Sequence, residues 1–378
     1  MRLIYIANIR LPTEKAHGLQ IMKTCEALVK QGIEVELVVP RRLNHLKDDP
    51  FSFYGVEKNF KITKVWCLDL ISLKIFGKLG FWIESWTFYR SVKKYLREQG
   101  ATVYYTRDLS IAYWLSKITA PVYYEVHTLP NKISSRYKEA WERCKGLIVI
   151  SDGLKNELVR HGVAEEKILL ARDAVDLRQF KKTEEKTVWR REFGMPPEKV
   201  VVLYAGHFYE WKGAATLAEA AKFIPEMEVY LVGGTDEDSN SFRIKYGLQG
   251  NIHIIGWTLH NLIPAWLMAA DILVLPNSGK SSISRQFTSP MKLFEYMAAE
   301  RPIVASNLPS LREVLDDTTA FFFTPDNPND LARTLREVAS SSTLAEKRAT
   351  RAYELAVEKY AWDKRAETIK NFIFARHE

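Results

Sequence analysis

Short apolar runs alternate with segments whose apolar positions recur every three to four residues along almost the whole chain. The first run is Leu3–Ala7. A polar loop follows, then a helical pattern over Leu19–Gln31 that stops at Gly32, a residue suited to ending a helix. The Val-rich run Glu34–Pro40 comes next, and further strand-like runs are Thr102–Thr106, Val122–His127, Leu147–Ser151 and Ile168–Ala171. Helical stretches such as Glu84–Arg97 and Gly153–His161 lie between them. After the polar segment Lys181–Lys199 the alternation restarts. Its strands are Val200–Ala205, Glu228–Val232, His253–Ile255, Ile272–Pro276, Ile303–Ser306 and Phe321–Thr324. Its helices are Ala214–Phe223, Leu262–Ala270, Pro290–Ala299 and Asp330–Ser340, and the end is helical from about Thr343 to Arg376.

Strands that are apolar throughout, with helices between them, predict parallel sheets covered on both faces. The expected class is α/β, with two Rossmann-like parallel-sheet domains over residues 1–180 and 181–361. Ligands of such folds sit beyond the carboxyl ends of the strands, so two units in one chain are expected to share a cleft.

The length of 378 residues agrees with two domains, and 47% hydrophobic with 26% charged residues is an ordinary folded composition. The opening apolar run is too short for a secretory leader, and Leu70–Ile83, the best spanning candidate, is cut by Lys74 and Lys78. Cys25, Cys67 and Cys144 form no CxxC pair, which speaks against a disulfide framework or a zinc site. A cytoplasmic protein is expected, at most peripheral on the inner face of a membrane. The net charge of +8 is uneven: Arg41–Gly100 holds 12 Lys/Arg against 6 Asp/Glu, a net of +6. That points to a local anionic partner and not to nucleic acid.

Four segments carry candidate chemistry. Gly206–Gly213 reads G-H-F-Y-E-W-K-G between a strand and a helix. Lys212 would open that helix, where the dipole disfavours a cation by about 0.3–1 kcal/mol unless an anion binds there. Lys212 with the N–H groups near Gly213 therefore reads as a diphosphate clamp, or as a solvated lysine. Thr288–Met297 reads T-S-P-M-K-L-F-E-Y-M; Ser289 suits an N-cap, Pro290 the first helical position, and Lys292 again falls in the first turn. Glu295, three residues on, would accept from two ribose hydroxyls, or else form an exposed pair with Lys292. In Tyr123–His127, Glu125 and His127 share a strand face, and His127 stands at the ligand end, suited to acid/base or polar contact work, or else is a buried histidine satisfied by a backbone carbonyl. Arg107 and Asp108 hold the equivalent place after Thr102–Thr106. Gly18 closes the loop Asn8–Gly18 just before the first helix, where backbone would approach a ligand closely. There is no G-x-G-x-x-G, and Asp236–Asp238, D-E-D, reads as a solvated loop more than as a metal-diphosphate site.

Taken in order, these residues resemble glycosyltransferase family 4. The match rests on the loop ending at Gly18, the strand ending at His127, D-A-V-D at Asp173–Asp176 with Phe180, the Gly206…Lys212–Gly213 segment and the helix bearing Glu295. Pro302–Ser306, Pro309–Val314 and a final helix opening near Trp362 are similar to the family's C-terminal half. The resemblance implies the GT-B fold, with residues 362–378 crossing back to the first domain. It implies retaining transfer from a nucleotide sugar, without a bound metal or other cofactor. It further implies Gly18, Gly206, Lys212, Ser289, Lys292 and Glu295 on the donor and His127 at the reacting centre. The family's signature pair of glutamates is incomplete: Phe287 stands where the first is expected. Thr288, Ser289 or Lys292 would then contact the donor sugar. His207 stands where many members carry an arginine.

Leu70–Arg97 is aromatic and basic, with Leu79, Trp82, Ile83, Trp86 and Tyr89 at helical spacing and Arg90, Lys93, Lys94 and Arg97 after them. It reads either as a face for an anionic membrane or lipid-linked acceptor, or as a helix covering the first sheet. The leading function is glycosyl transfer to a glycan or lipid-linked acceptor in cell-surface polysaccharide or glycoconjugate synthesis. A nucleotide-sugar epimerase and a non-catalytic nucleotide-sugar-binding protein are the alternatives.

Overall fold

The apolar runs form two wholly parallel sheets in a computed structural model that describes residues 1–70, 77–100, 103–117, 121–130, 132–181 and 185–376. The first sheet contains β1 (Arg2–Ile6), β2 (Glu34–Pro40), β3 (Lys61–Val65), β4 (Val103–Thr106), β5 (Val122–Val126), β6 (Gly146–Val149) and β7 (Ile168–Leu170). Its order is β3-β2-β1-β4-β5-β6-β7. The second contains β8 (Val201–Ala205), β9 (Glu228–Val232), β10 (Ile252–Gly256), β11 (Ile272–Leu275), β12 (Ile303–Ser306) and β13 (Phe321–Phe323), in the order β10-β9-β8-β11-β12-β13. Strand order reverses between β1 and β4 and between β8 and β11, the places where open α/β sheets bind ligands. Both sheets are Rossmann-like, as the alternation predicts.

Two compact units result. One holds Met1–Ile150, Leu154–Ala171 and Trp362–Glu378; the other holds Ser151–Gly153 and Arg172–Ala361. The sequence reading put the first boundary after residue 180. In the structure Asp173–Phe180 goes with the second unit, because Phe180 is buried in that unit's core and Val175 bridges Ala361. The Val175 N–H donates to the Tyr360 carbonyl at 2.9 Å. That bridge also breaks the predicted helical end into Ser342–Lys359 and Trp362–Phe374. The last helix packs against helix Ala16–Lys30 of the first unit. Its Phe372 meets Tyr123 of β5 edge-on, with ring centroids 6.0 Å apart.

Two departures from the sequence reading matter for function. The first helix begins at Ala16 and not at Leu19, so Gly18 lies inside its first turn. β3 was not expected: Lys61–Val65 has only two apolar residues, Ile62 and Val65, and as the sheet's edge strand it needs no continuous apolar run. Among the described residues, no helix is long and apolar enough to cross a membrane.

Candidate functional site

In the second unit, β8 ends at Ala205 and the chain turns at Gly206 with φ 138°, a conformation that side chains rarely adopt. A Cβ there would stand 3.8 Å from Cδ of Lys292, so the turn borders that lysine. Glu210–Lys212 then make a single 3-10 turn, with the Gly213 N–H donating to the Glu210 carbonyl at 3.1 Å. Lys212 was expected at the start of the following helix. It lies ahead of it instead, because Gly213 (φ 72°) occupies the capping position and presses on β11: its Cβ would lie 1.8 Å from the Pro276 carbonyl oxygen. The Gly213 N–H, read as part of an anion clamp, is thus already engaged in the turn.

Lys292 and Glu295 lie on helix Met291–Ala298. Ser289 was expected to cap it and Pro290 to open it. In the structure Pro290 is extended at the cap position, and its carbonyl accepts from the Leu293 N–H at 2.8 Å. A residue before proline avoids helical backbone, so Ser289 stays outside the helix, and its buried hydroxyl has no hydrogen-bond partner. Lys292 is 8% exposed; its Nζ stands 3.9 Å from the Tyr204 ring centroid and also lacks a hydrogen-bond partner. Burial, and after it the charge of Lys212, hold the Lys292 ammonium well below the usual lysine range, while Glu295 pulls the other way. Burial lowers Lys212 too, again against Glu295. Glu295 Oε1 lies 3.5 Å from His260 Nε2. Two cations and a carboxylate thus share one field, and a buried ammonium without a partner is costly. A ligand with two or more negative charges would relieve both lysines.

The first unit gathers a second polar group at the carboxyl ends of β1, β4 and β5. His127 Nε2 bonds Glu125 Oε1 at 2.7 Å. Glu125 is fully buried and also accepts from Gln20 Nε2 (2.6 Å), Arg365 Nη2 (2.6 Å) and Tyr105 Oη (2.5 Å). Burial pushes its carboxyl up, but the charges of Arg365 and His127 and these hydrogen bonds outweigh it, and its pKa lies well below the usual carboxylate range. An ionised carboxylate only accepts, so the Nε2 of His127 that faces it carries a proton whether the ring is charged or neutral. Arg107 Nη1 bonds Gln20 Oε1 at 2.9 Å. His17 is lowered to about 4 by burial and then by Arg107, Lys15 and His127. Gly18 belongs to the same end of the unit, but its lack of a side chain answers to Tyr54, whose Oη would lie 2.2 Å from a Cβ.

Of the other candidates, Asp236–Asp238 is no solvated loop. It opens helix Asp236–Tyr246, with Thr235 and Asp238 capping each other's N–H groups. Trp82, Trp86, Lys93 and Lys94 lie exposed on helix Gly77–Arg97 of the first unit. Sequence reasoning missed Asn277, which is fully buried with neither amide atom hydrogen-bonded. It ends the run Ile272–Pro276, so the strand-end rule that singled out His127 would have found it. It also missed His260, Gln20 and Arg365; for the last, no local pattern links a residue to a partner 240 positions away.

Two family models match the chain in succession: Glycosyltransferase Family 4 over residues 18–179 and Glycosyl transferases group 1 over residues 199–341. A D-inositol 3-phosphate glycosyltransferase of Streptomyces bingchenggensis is 24% identical over 237 residues, covering 58% of this chain and 50% of its own length. An alpha-D-kanosaminyltransferase of Streptomyces kanamyceticus is 24% identical over 319 residues, 76% of this chain and 81% of its own. The chain therefore spans about half the length of the first of these relatives. Among solved structures, Anabaena HepE in complex with UDP superposes with a TM-score of 0.78 at 14% identity, over 99% of this chain and 100% of that one. At such identity the likeness is one of fold.

Proposed function

The chain belongs to glycosyltransferase family 4, and from that premise we propose that it moves a sugar, with retention, from a nucleotide-diphosphate sugar to a glycan or lipid-linked acceptor. The observation that carries the reading is the pair Lys212 and Lys292, one half-buried cation and one buried cation without a hydrogen-bond partner, in one field beside Glu295. A sugar nucleotide offers what they lack: a diphosphate for the ammonium groups, and ribose hydroxyls that donate to the Glu295 carboxylate. The UDP bound by the fold neighbour is of this ligand class.

In this reading the acceptor oxygen forms its bond to the sugar's anomeric carbon as the bond to the diphosphate oxygen breaks. The acceptor's proton passes to the leaving diphosphate on the same face. Lys212 and Lys292 stabilise the charge that grows there, acting in a low-dielectric site that is organised beforehand. Thr288 and Ser289 take over sugar contacts where Phe287 replaces the family's first glutamate. His127, with its proton held on Nε2 by Glu125, contacts the sugar side.

Calorimetric titration with UDP, GDP and ADP tests the reading. One nucleotide should bind, and Lys212→Ala and Glu295→Ala should each weaken it about 10- to 100-fold, the worth of a hydrogen bond to a charged group. Equal binding by both variants would remove the site. Turnover of a sugar nucleotide with no acceptor present would make the protein an epimerase instead.

A further inference from the structure

Helix Gly77–Arg97 has two faces with different tasks. One is buried in the first unit through Phe88, Val92 and Leu96, and its fully buried Glu84 pairs with Arg42. The other stays in the open along a single stripe at three- and four-residue spacing: Leu79, Trp82, Trp86, Arg90, Lys93 and Arg97. Leu79 and Trp82 are each 62% exposed and Trp86 57%, with Phe81 beside them at 48%. Covering the sheet therefore accounts for one face and leaves the other unexplained. Singly exposed apolar residues are ordinary, but a continuous run of them on one helix face is not.

The stripe is ordered along its length. Its first half is apolar and aromatic; its second half is basic. The helix's one acidic residue, Glu84, is on the buried face. The basic half borders an open groove of about 820 Å³ in which Trp66, itself 59% exposed, and Trp86 meet Arg90, Lys94 and Arg97. The Arg90 guanidinium lies 4.8 Å from the Trp86 ring centroid. We propose that this face docks on a bilayer containing anionic phospholipid, with Leu79, Phe81 and Trp82 entering the interface and the cations lying over the headgroups. Tryptophan favours the boundary between hydrocarbon and water, and basic side chains near an anionic surface gain with each charge. A second copy of the chain fits less well: across a two-fold contact through this stripe its cations would meet either cations or apolar side chains, since the helix's one acidic residue, Glu84, is buried on the other face. The proposal rests on the first unit alone and does not depend on sugar transfer.

Flotation with vesicles of phosphatidylcholine, with and without a third of phosphatidylglycerol, tests it. Binding should need phosphatidylglycerol and weaken at high salt. Arg90→Gln with Lys94→Gln should lower it about fivefold per charge removed. Trp82→Ser with Trp86→Ser should abolish it. Thermal melting and nucleotide titration of the same variants should match the parent, which separates failure of this face from failure of the sugar-nucleotide site. Absence of binding to either vesicle, or equal binding by all variants, would overturn the proposal. So would a concentration-dependent dimer that the tryptophan variant abolishes while the vesicles stay bare.

Discussion

Replacing Lys292 with Met removes a buried charge that has no hydrogen-bond partner and keeps much of the packing against Tyr204. The variant should be more stable than the parent by about 1–2 kcal/mol in urea melts, while nucleotide binding falls at least tenfold. The same lysine should make binding proton-linked. Its ammonium is held below the ordinary value in the free protein, so an arriving diphosphate favours proton uptake. Titrations in buffers of different ionisation enthalpy should show that uptake, and Lys292→Met should reduce it. Glu125 behaves in the opposite sense. Its folded pKa lies below the unfolded value of about 4.3, so its contribution to stability is present above that pH and is lost as the pH falls through the folded value. Arg365→Met would leave this carboxylate with less compensation and should cost about 3–5 kcal/mol at pH 7. The deficit should shrink on acidification, once Glu125 is protonated in both proteins. The cations on the second unit were legible in the sequence because lysines near the start of two helices contradict the dipole. The partners of Glu125 were not, because Gln20, Tyr105 and Arg365 are brought to it only by tertiary folding.

At the scale of elements, the turn at Gly213 locks β11 to the segment that carries Lys212. Gly213→Ala would add both a left-handed strain and a clash with the Pro276 carbonyl. It should lower the melting temperature and weaken nucleotide binding together, whereas Lys212→Ala should affect binding alone. Circular dichroism melts beside the titrations distinguish the two. Elements were readable where burial is two-sided. Glu34–Pro40, Glu228–Val232 and Ile303–Ser306 appear in the sheets with the bounds their apolar runs suggest. Elements with one wet side were harder. Lys61–Val65 and the polar helix Asp236–Tyr246 carry too little apolar signal, and their places are set by edge pairing and by a capping box. Helix starts moved where a particular contact overrode the local signal, as with Pro290 before Met291.

The whole molecule is divided unequally by its own chain path. Residues Arg172–Ala361 make nearly all of the second unit from one continuous stretch, while the first unit is incomplete without Trp362–Glu378. Expressed alone, 172–361 should melt cooperatively and still bind the nucleotide, since Lys212, Lys292 and Glu295 all lie in it. Expressed alone, 1–171 should fail to give a cooperative melt, and adding 362–378 as a peptide should restore one. The same path sets an order of events during synthesis. Glu125 leaves the ribosome 240 residues ahead of the arginine that neutralises it. At roughly 5–20 residues per second, that is a wait on the order of tens of seconds. Throughout that interval the earliest-made half of the protein lacks its closing helix, while the later-made half can fold as it emerges. The domain born first is therefore the one finished last, and it is the half that a nascent-chain chaperone would have to guard.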